Sequence, residues 1–210
     1  MDNFVFFLVL FATAMHAVWN GMVKNHPDKV VAVAAIVLGH IPLAVIAIIL
    51  LPAPTLDCIP YIIASAIIHQ GYQWYLISSY QIGDLTKVYP IARGSGPLLA
   101  TIISILFLGV VFDKLMLLSI LLICIGIIIL GILDINKQNL KVIKYSLFTG
   151  VFIGTYSLID GYGARISNSA ISFISWSFAI NAFIFPFALR LRGEKNIVSR
   201  VYVEGKRIFF

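Results

Sequence analysis

The chain has 210 residues, of which 60% are hydrophobic and 11% charged, and it carries a net charge of +6. Its mean hydropathy is +1.00. Soluble globular chains run at roughly 45–50% apolar and about 25% charged, so this composition excludes an ordinary water-soluble domain and makes lipid the expected solvent.

A helix needs about 20 apolar residues to cross a hydrocarbon core of roughly 30 Å. Seven stretches meet that requirement: Phe4–Val23, Val30–Leu51, Ile59–Tyr80, Val88–Phe112, Leu115–Leu133, Tyr145–Tyr162 and Ile171–Leu189. Helices are expected because hydrocarbon offers no partner to an unpaired backbone N–H. A transmembrane barrel would alternate apolar and polar residues, whereas Ile120–Leu130 is apolar on every side. The expected fold class is an all-α polytopic membrane protein.

The first span follows only Asp2 and Asn3. It lacks the basic segment of a secretory signal and reads as a membrane helix. His16, Trp19 and Asn20 fall on it at i, i+3 and i+4, one helix face. The second span carries Pro42, and the third repeats the polar pattern with His69, Tyr72 and Gln73. Polar groups inside a membrane face the bundle interior and mark a pathway, or they bond neighbouring helices. Tyr75 and Tyr80 read as interfacial belt residues.

At the entry of the fourth span the sequence crowds Tyr89, Pro90, Arg93, Gly94, Gly96 and Pro97 together. Each proline lacks an N–H and disfavours helix in the residue before it. The expectation is an interrupted helix lining a cavity, with Arg93 attracting a carboxylate or phosphonate-like group. The alternative is a surface hairpin with Arg93 snorkelling to headgroups. Gly94-Ser95-Gly96 has no following Gly-Lys-Ser/Thr and is no phosphate loop.

Asp134–Lys144 is the longest polar stretch within the chain. Beyond it, the sixth span carries a small-residue stripe, Gly150, Gly154, Ser157 and Gly161, expected to allow close helix packing. Tyr156 and Asp160 lie on a neighbouring face. Asp160 reads as a pathway carboxylate that accepts a coupling proton or a cationic group, or as the partner of Arg165. Cys58 and Cys124 are too far apart for a disulfide framework or a metal-ligand spacing. His16, His40 and His69 lie on three different spans, with no His or carboxylate four residues away. No nucleophile stands beside a base, so the expectation is no enzyme, no metal and no cofactor.

Setting Leu10-Phe11 against Leu147-Phe148 aligns Trp19 with Tyr156 and Asn20 with Ser157, and a proline follows in the next span of each half, Pro42 and Pro186. The layout read from this is a first unit at 1–134, a basic linker at 135–144 and a partial second unit at 145–210. Five spans is an odd number, so the second unit would enter the membrane inverted. Twelve of the 15 basic residues fall beside one set of span ends, against Lys114 and Arg165 on the other. The positive-inside rule then puts the N-terminus outside and the tail in the cytoplasm.

His16-Ala17-Val18-Trp19-Asn20 with Lys24 resembles the first-helix motif of EamA-type proteins of the drug/metabolite transporter superfamily. Gly83-Asp84-Leu85, Val88 to Arg93 and Pro97 resemble that family's approach to its fourth helix, and Leu106-Phe107-Leu108-Gly109 the end of that helix. The resemblance implies a transporter of ten helices in two inverted five-helix repeats, with a central cavity and alternating access. It implies small organic solutes, including amino acids and related metabolites, moved outward across the cell inner (plasma) membrane, and both termini in the cytoplasm, where the charge count puts the N-terminus outside. Against that pattern the chain has Val110 where the family has Glu, and seven spans rather than ten, a complete repeat plus two helices of the second. The alternative expectation is therefore a truncated, non-transporting fragment or a helix-pairing subunit. Expected partners are a small-molecule solute and the lipid bilayer, with protons as a candidate coupling ion and a second copy of the chain as a candidate partner; no nucleic acid is expected.

Overall fold

The computed structural model describes residues 3–132 and 140–209. Among them there is no strand. The chain runs α1 (Asn3–Asn25), α2 (Lys29–Gly39), α3 (Ile41–Leu50), a 3-10 turn (Leu56–Cys58), α4 (Ile59–Ile82), α5 (Leu85–Leu108), α6 (Lys114–Ile132), α7 (Leu140–Ile166), α8 (Ala170–Leu191) and α9 (Ile197–Phe209).

Local chemistry sets most helix ends. The Asp28 carboxylate accepts from the N–H groups of Val30 and Val31 at 2.9 and 3.1 Å and starts α2, as a capping side chain does for otherwise unpaired donors. Asp84 does the same for Thr86 at the start of α5, and Ser169 for Ser172 at the start of α8. At the far end of α5, Gly109 takes a left-handed conformation, φ 63°, that residues with a Cβ rarely adopt. That turn stops the helix short of the Phe112 expected from hydropathy.

The predicted second span holds two helices. Pro42 cannot donate to the Leu38 carbonyl, so the ladder breaks and α2 ends at Gly39, with His40 at the joint. The expected interruption of the fourth span is not found: α5 is one continuous helix through both Pro90 and Pro97. Each proline there forfeits a single i→i−4 bond, and neighbouring helices support the backbone on either side. Helix α7 begins at Leu140, so part of the predicted 135–144 linker is helical; residues 135–139 lie outside those described. Leu133, the expected end of the fifth span, lies outside them too.

Among the described residues, five segments are long and apolar enough to cross a membrane: Asn3–Val23, Lys29–Leu50, Thr86–Leu108, Leu140–Ile166 and Ala170–Leu191. The other two expected spans differ in kind. Helix α4 has 24 residues, but the run His69, Gln70, Tyr72, Gln73 lowers its apolar character. Helix α6 offers a shorter apolar stretch, Lys114–Leu130. Many large apolar side chains face outward, among them Ile49, Phe107 and Phe183 at 75, 79 and 80% exposure. A surface of that kind calls for an apolar surrounding rather than water.

Helix α7 is the central element, packed along α4 on one side and α5 on the other, while α8 lies against α3 and α4 and α6 against α5. A buried cluster of Val23, Val30, Tyr80, Val88, Val142, Leu189 and Ile197 joins α1, α2, α4, α5, α7, α8 and α9 at one end of the bundle. Tyr80 is thus a core residue rather than a belt residue. Cys58 and Cys124 are both buried and unpaired.

The α5–α7 crossing is the closest approach that the small-residue stripe makes. A Cβ on Gly150 would stand 3.0 Å from the Ala92 carbonyl oxygen, and one on Gly154 2.9 Å from that of Gly96. The second half of the stripe does not pack: Ser157 is exposed, and a Cβ on Gly161 would meet nothing within 4 Å. Helices cross at an angle, so a stripe that continues in sequence leaves the partner after about two turns.

A turn with left-handed Gly193 and Asn196, φ 94° and 54°, leads into α9. Ile197 of α9 is buried and Val201 packs on the cluster. Arg200 clasps this helix to the bundle, bonding the Asp28 carboxylate through Nη2 and Glu194 through Nη1, the latter at 2.6 Å. His26 faces Glu204 at 4.0 Å.

Two outcomes follow from this packing. Gly154→Leu should destabilise the bundle by about 1–3 kcal/mol through overpacking against backbone, whereas Gly161→Leu should be neutral; thermal unfolding of the two purified variants checks the contrast. Arg200→Gln should raise amide hydrogen exchange in α9 and leave that of α4 and α7 unchanged, as mass spectrometry of the exchanged protein would read.

Candidate functional site

A cavity of about 470 Å³ lies inside the bundle, a volume within the usual range for small-molecule sites. Helix α1 supplies His16 and Trp19 to its wall, and α2 supplies Val33, Ile36 and Val37. His69, Tyr72, Gln73 and Leu76 come from α4, Arg93 from α5, Tyr156 from α7, and Phe178 and Asn181 from α8; Gly39 and His40 line it at the α2–α3 joint.

Arg93 is the charged group of the wall. Its guanidinium stands over the Tyr89 ring one turn back, 5.5 Å from the centroid, and Tyr156 shares the cavity wall with it. Its Nη2 meets His16 Nε2. Trp19 Nε1 donates to the other ring nitrogen, His16 Nδ1, at 2.8 Å. A neutral imidazole has one acceptor nitrogen, so Trp19 and Arg93 cannot both be satisfied by His16. One N–H donor is left over at the cavity wall. Among the described residues no carboxylate lies within salt-bridge distance of Arg93.

The opposite wall is aromatic and amide-rich. The His69 ring stacks on Tyr156 with centroids 4.2 Å apart, and Tyr72 meets Tyr156 edge-on at 5.5 Å. His40 lies against Phe178 at 4.6 Å. Asn181 spends its Oδ1 on the Gln70 amide at 2.6 Å. Gln73 is 3% exposed, and its amide oxygen has no partner.

Asp160 sits behind this wall. It faces Ser65 and His69 on α4, and one of its carboxylate oxygens is buried without a partner. It is not paired with Arg165, which is exposed. His69 Nδ1 lies 2.9 Å from the Ser65 carbonyl and 3.3 Å from its hydroxyl, so Asp160, Ser65 and His69 form one polar cluster behind the Tyr156 ring.

Of the residues singled out from sequence, His16, Trp19, His69, Tyr72, Gln73, Arg93 and Tyr156 meet in one cavity. Three others stand behind it: Tyr89 under Arg93, Asp160 behind His69, and Pro90 within the α5 backbone. Asn20 is elsewhere in role. It is 4% exposed, donates to the His16 carbonyl at 2.7 Å and accepts from the Tyr80 hydroxyl at 3.3 Å, tying α1 to α4. A polar residue on a shared helix face can turn to a neighbour instead of the cavity, and here Tyr80 supplies one. Sequence patterning does not single out His40, Phe178 and Asn181 as wall residues. His40, two residues before a proline within an apolar span, carries a legible signal; isolated Phe178 and Asn181 carry none. Among the described residues, no three His, Cys, Asp or Glu side chains gather as they would around a metal ion.

Fold and site together define the class broadly: among the described residues, a helical protein with five helical segments of membrane-crossing length and character, forming a polar, arginine-bearing cavity. The chain matches no family model, no curated protein and no solved structure.

Proposed function

We propose that the chain is a multi-pass protein of the cell inner (plasma) membrane that transports small organic solutes, amino acids or related metabolites among them. It crosses the bilayer seven times, as a five-helix unit followed by two helices of an inverted second one, and works by alternating access. This is the plan of the EamA-type drug/metabolite transporters that its first- and fourth-span motifs resemble, and the outward direction comes with that resemblance. The cytoplasmic end is the one where the basic residues gather.

One observation carries the reading. Arg93 presents its guanidinium to an intramembrane cavity with no carboxylate partner and with an N–H donor in excess of the acceptors around it. An unpaired charge at such depth is costly, and a solute carboxylate supplies the missing acceptor and countercharge in bidentate geometry. The aromatic wall gives the solute's apolar body a surface to lie on. The polar cluster of Asp160, Ser65 and His69 supports proton coupling, with Asp160 as the group that changes charge.

Arg93→Ala should abolish transport of an anionic solute in proteoliposomes; flux equal to that of the unaltered protein would remove Arg93 from the pathway. Asp160→Asn should leave solute-induced thermal stabilisation in place and flatten the dependence of flux on pH. A pH profile identical to the parent's would exclude Asp160 as the coupling group.

A further inference from the structure

At the basic end of the bundle a second hollow, of about 480 Å³, opens in the angle between the end of α8 and the start of α9. Its walls are of two kinds. Pro186, Phe187 and Val198 make an apolar side, on which Phe187 and Val198 are 62 and 57% exposed. Arg190 and Lys195 make the other; both are exposed, and neither is in an ion pair among the described residues. The acidic residue of the hollow, Glu194, is already engaged, since its Oε2 accepts from Arg200 at 2.6 Å. Arg192, close in sequence, is also engaged, stacked over Trp74 at 3.5 Å. Arg190 and Lys195 thus face the hollow without a countercharge among the described residues.

The arrangement along α8 says what fits. Phe183, Phe187 and Arg190 follow at i, i+4 and i+7, one face of a helix. Two outward-facing rings thus lead along the membrane-crossing part of α8 to a guanidinium at its end. Across the hollow, the turn through left-handed Gly193 and Asn196 sets Lys195 opposite, next to the first residues of α9, whose N–H groups have no partner within the helix. Inorganic phosphate would use the cations alone. An apolar stripe running into a cationic end matches a phospholipid, acyl chain on the rings and phosphate at the end.

We propose that this hollow binds the headgroup of an anionic phospholipid, with Arg190 and Lys195 taking the phosphate and Phe183 and Phe187 carrying an acyl chain. The site lies at the end of the bundle where basic residues gather, which the charge distribution assigns to the cytoplasmic leaflet, rich in anionic lipid. It is separate from the central cavity and stands whether or not that cavity carries a solute.

The test is native mass spectrometry of the detergent-purified chain titrated with dioleoylphosphatidylglycerol, dioleoylphosphatidylcholine and, separately, glycerol phosphate. Phosphatidylglycerol should be retained about tenfold or more over phosphatidylcholine, and Arg190→Gln with Lys195→Gln should bring the two lipids level. Lys206→Gln with Arg207→Gln, the same charge change elsewhere in the tail, should keep the preference. Phe187→Ala should weaken retention of both lipids. Equal retention of the two lipids by the unaltered chain would overturn the proposal. So would equal loss in the Lys206/Arg207 variant, which would mean diffuse attraction, or displacement of phosphatidylglycerol by an equimolar amount of glycerol phosphate, which would mean a soluble-phosphate site.

Discussion

A guanidinium on an apolar helix has to be solvated by something, and the interior of this bundle is organised around that need. Arg93 lies in the third turn of α5, and its guanidinium lines the cavity. Tyr89 offers a ring from below and His16 an imidazole that Trp19 has already engaged. The residues that approach Arg93 are aromatic and neutral, so they soften the charge without cancelling it. That choice keeps the site open to an anion, which a neighbouring Asp or Glu would have closed off.

The geometry of that centre depends on the close crossing of α5 and α7. Gly150 and Gly154 let the two backbones approach to a distance that a side chain would forbid, and this sets Tyr156, half a turn beyond Gly154, beside Arg93. From α7 the same rigid element positions Asp160 against Ser65 and His69 of α4. One helix thus places both Tyr156 and Asp160, and small residues in its sequence have a chemical consequence at a distance of about one turn.

Much of the site is legible in the residue pattern alone. The i, i+3, i+4 sets on α1 and α4 point inward because a polar side chain on an apolar helix gains by facing protein, and five of those six residues line the cavity. The sixth, Asn20, is diverted by Tyr80, a partner three helices away along the chain that no local pattern reveals. Proline misleads in both directions. Pro42, in the first turn after His40, ends a helix, whereas Pro90 and Pro97 do not interrupt theirs, because packing against α6 and α7 decides whether a lost bond becomes a break. Ser157 and Gly161 extend a pattern whose physical partner has already diverged. The amphipathic α9 is hidden in a tail whose many charges speak first of topology.

The attachment of α1 is uneven along its length. Its first half, from Phe4 to Phe11, is at least 43% exposed at every residue, and its hold on the rest comes through Trp19, Asn20 and Val23 near its end. Mechanically this is a beam clamped at one end, with His16 just outside the clamp and Trp19 at its edge. Sideways force on the outer half is therefore transmitted to the side chains that face Arg93. Elements with few buried contacts are the first to open, so the compliance of the cavity is concentrated in its α1 wall, while the glycine crossing keeps the α5–α7 wall stiff.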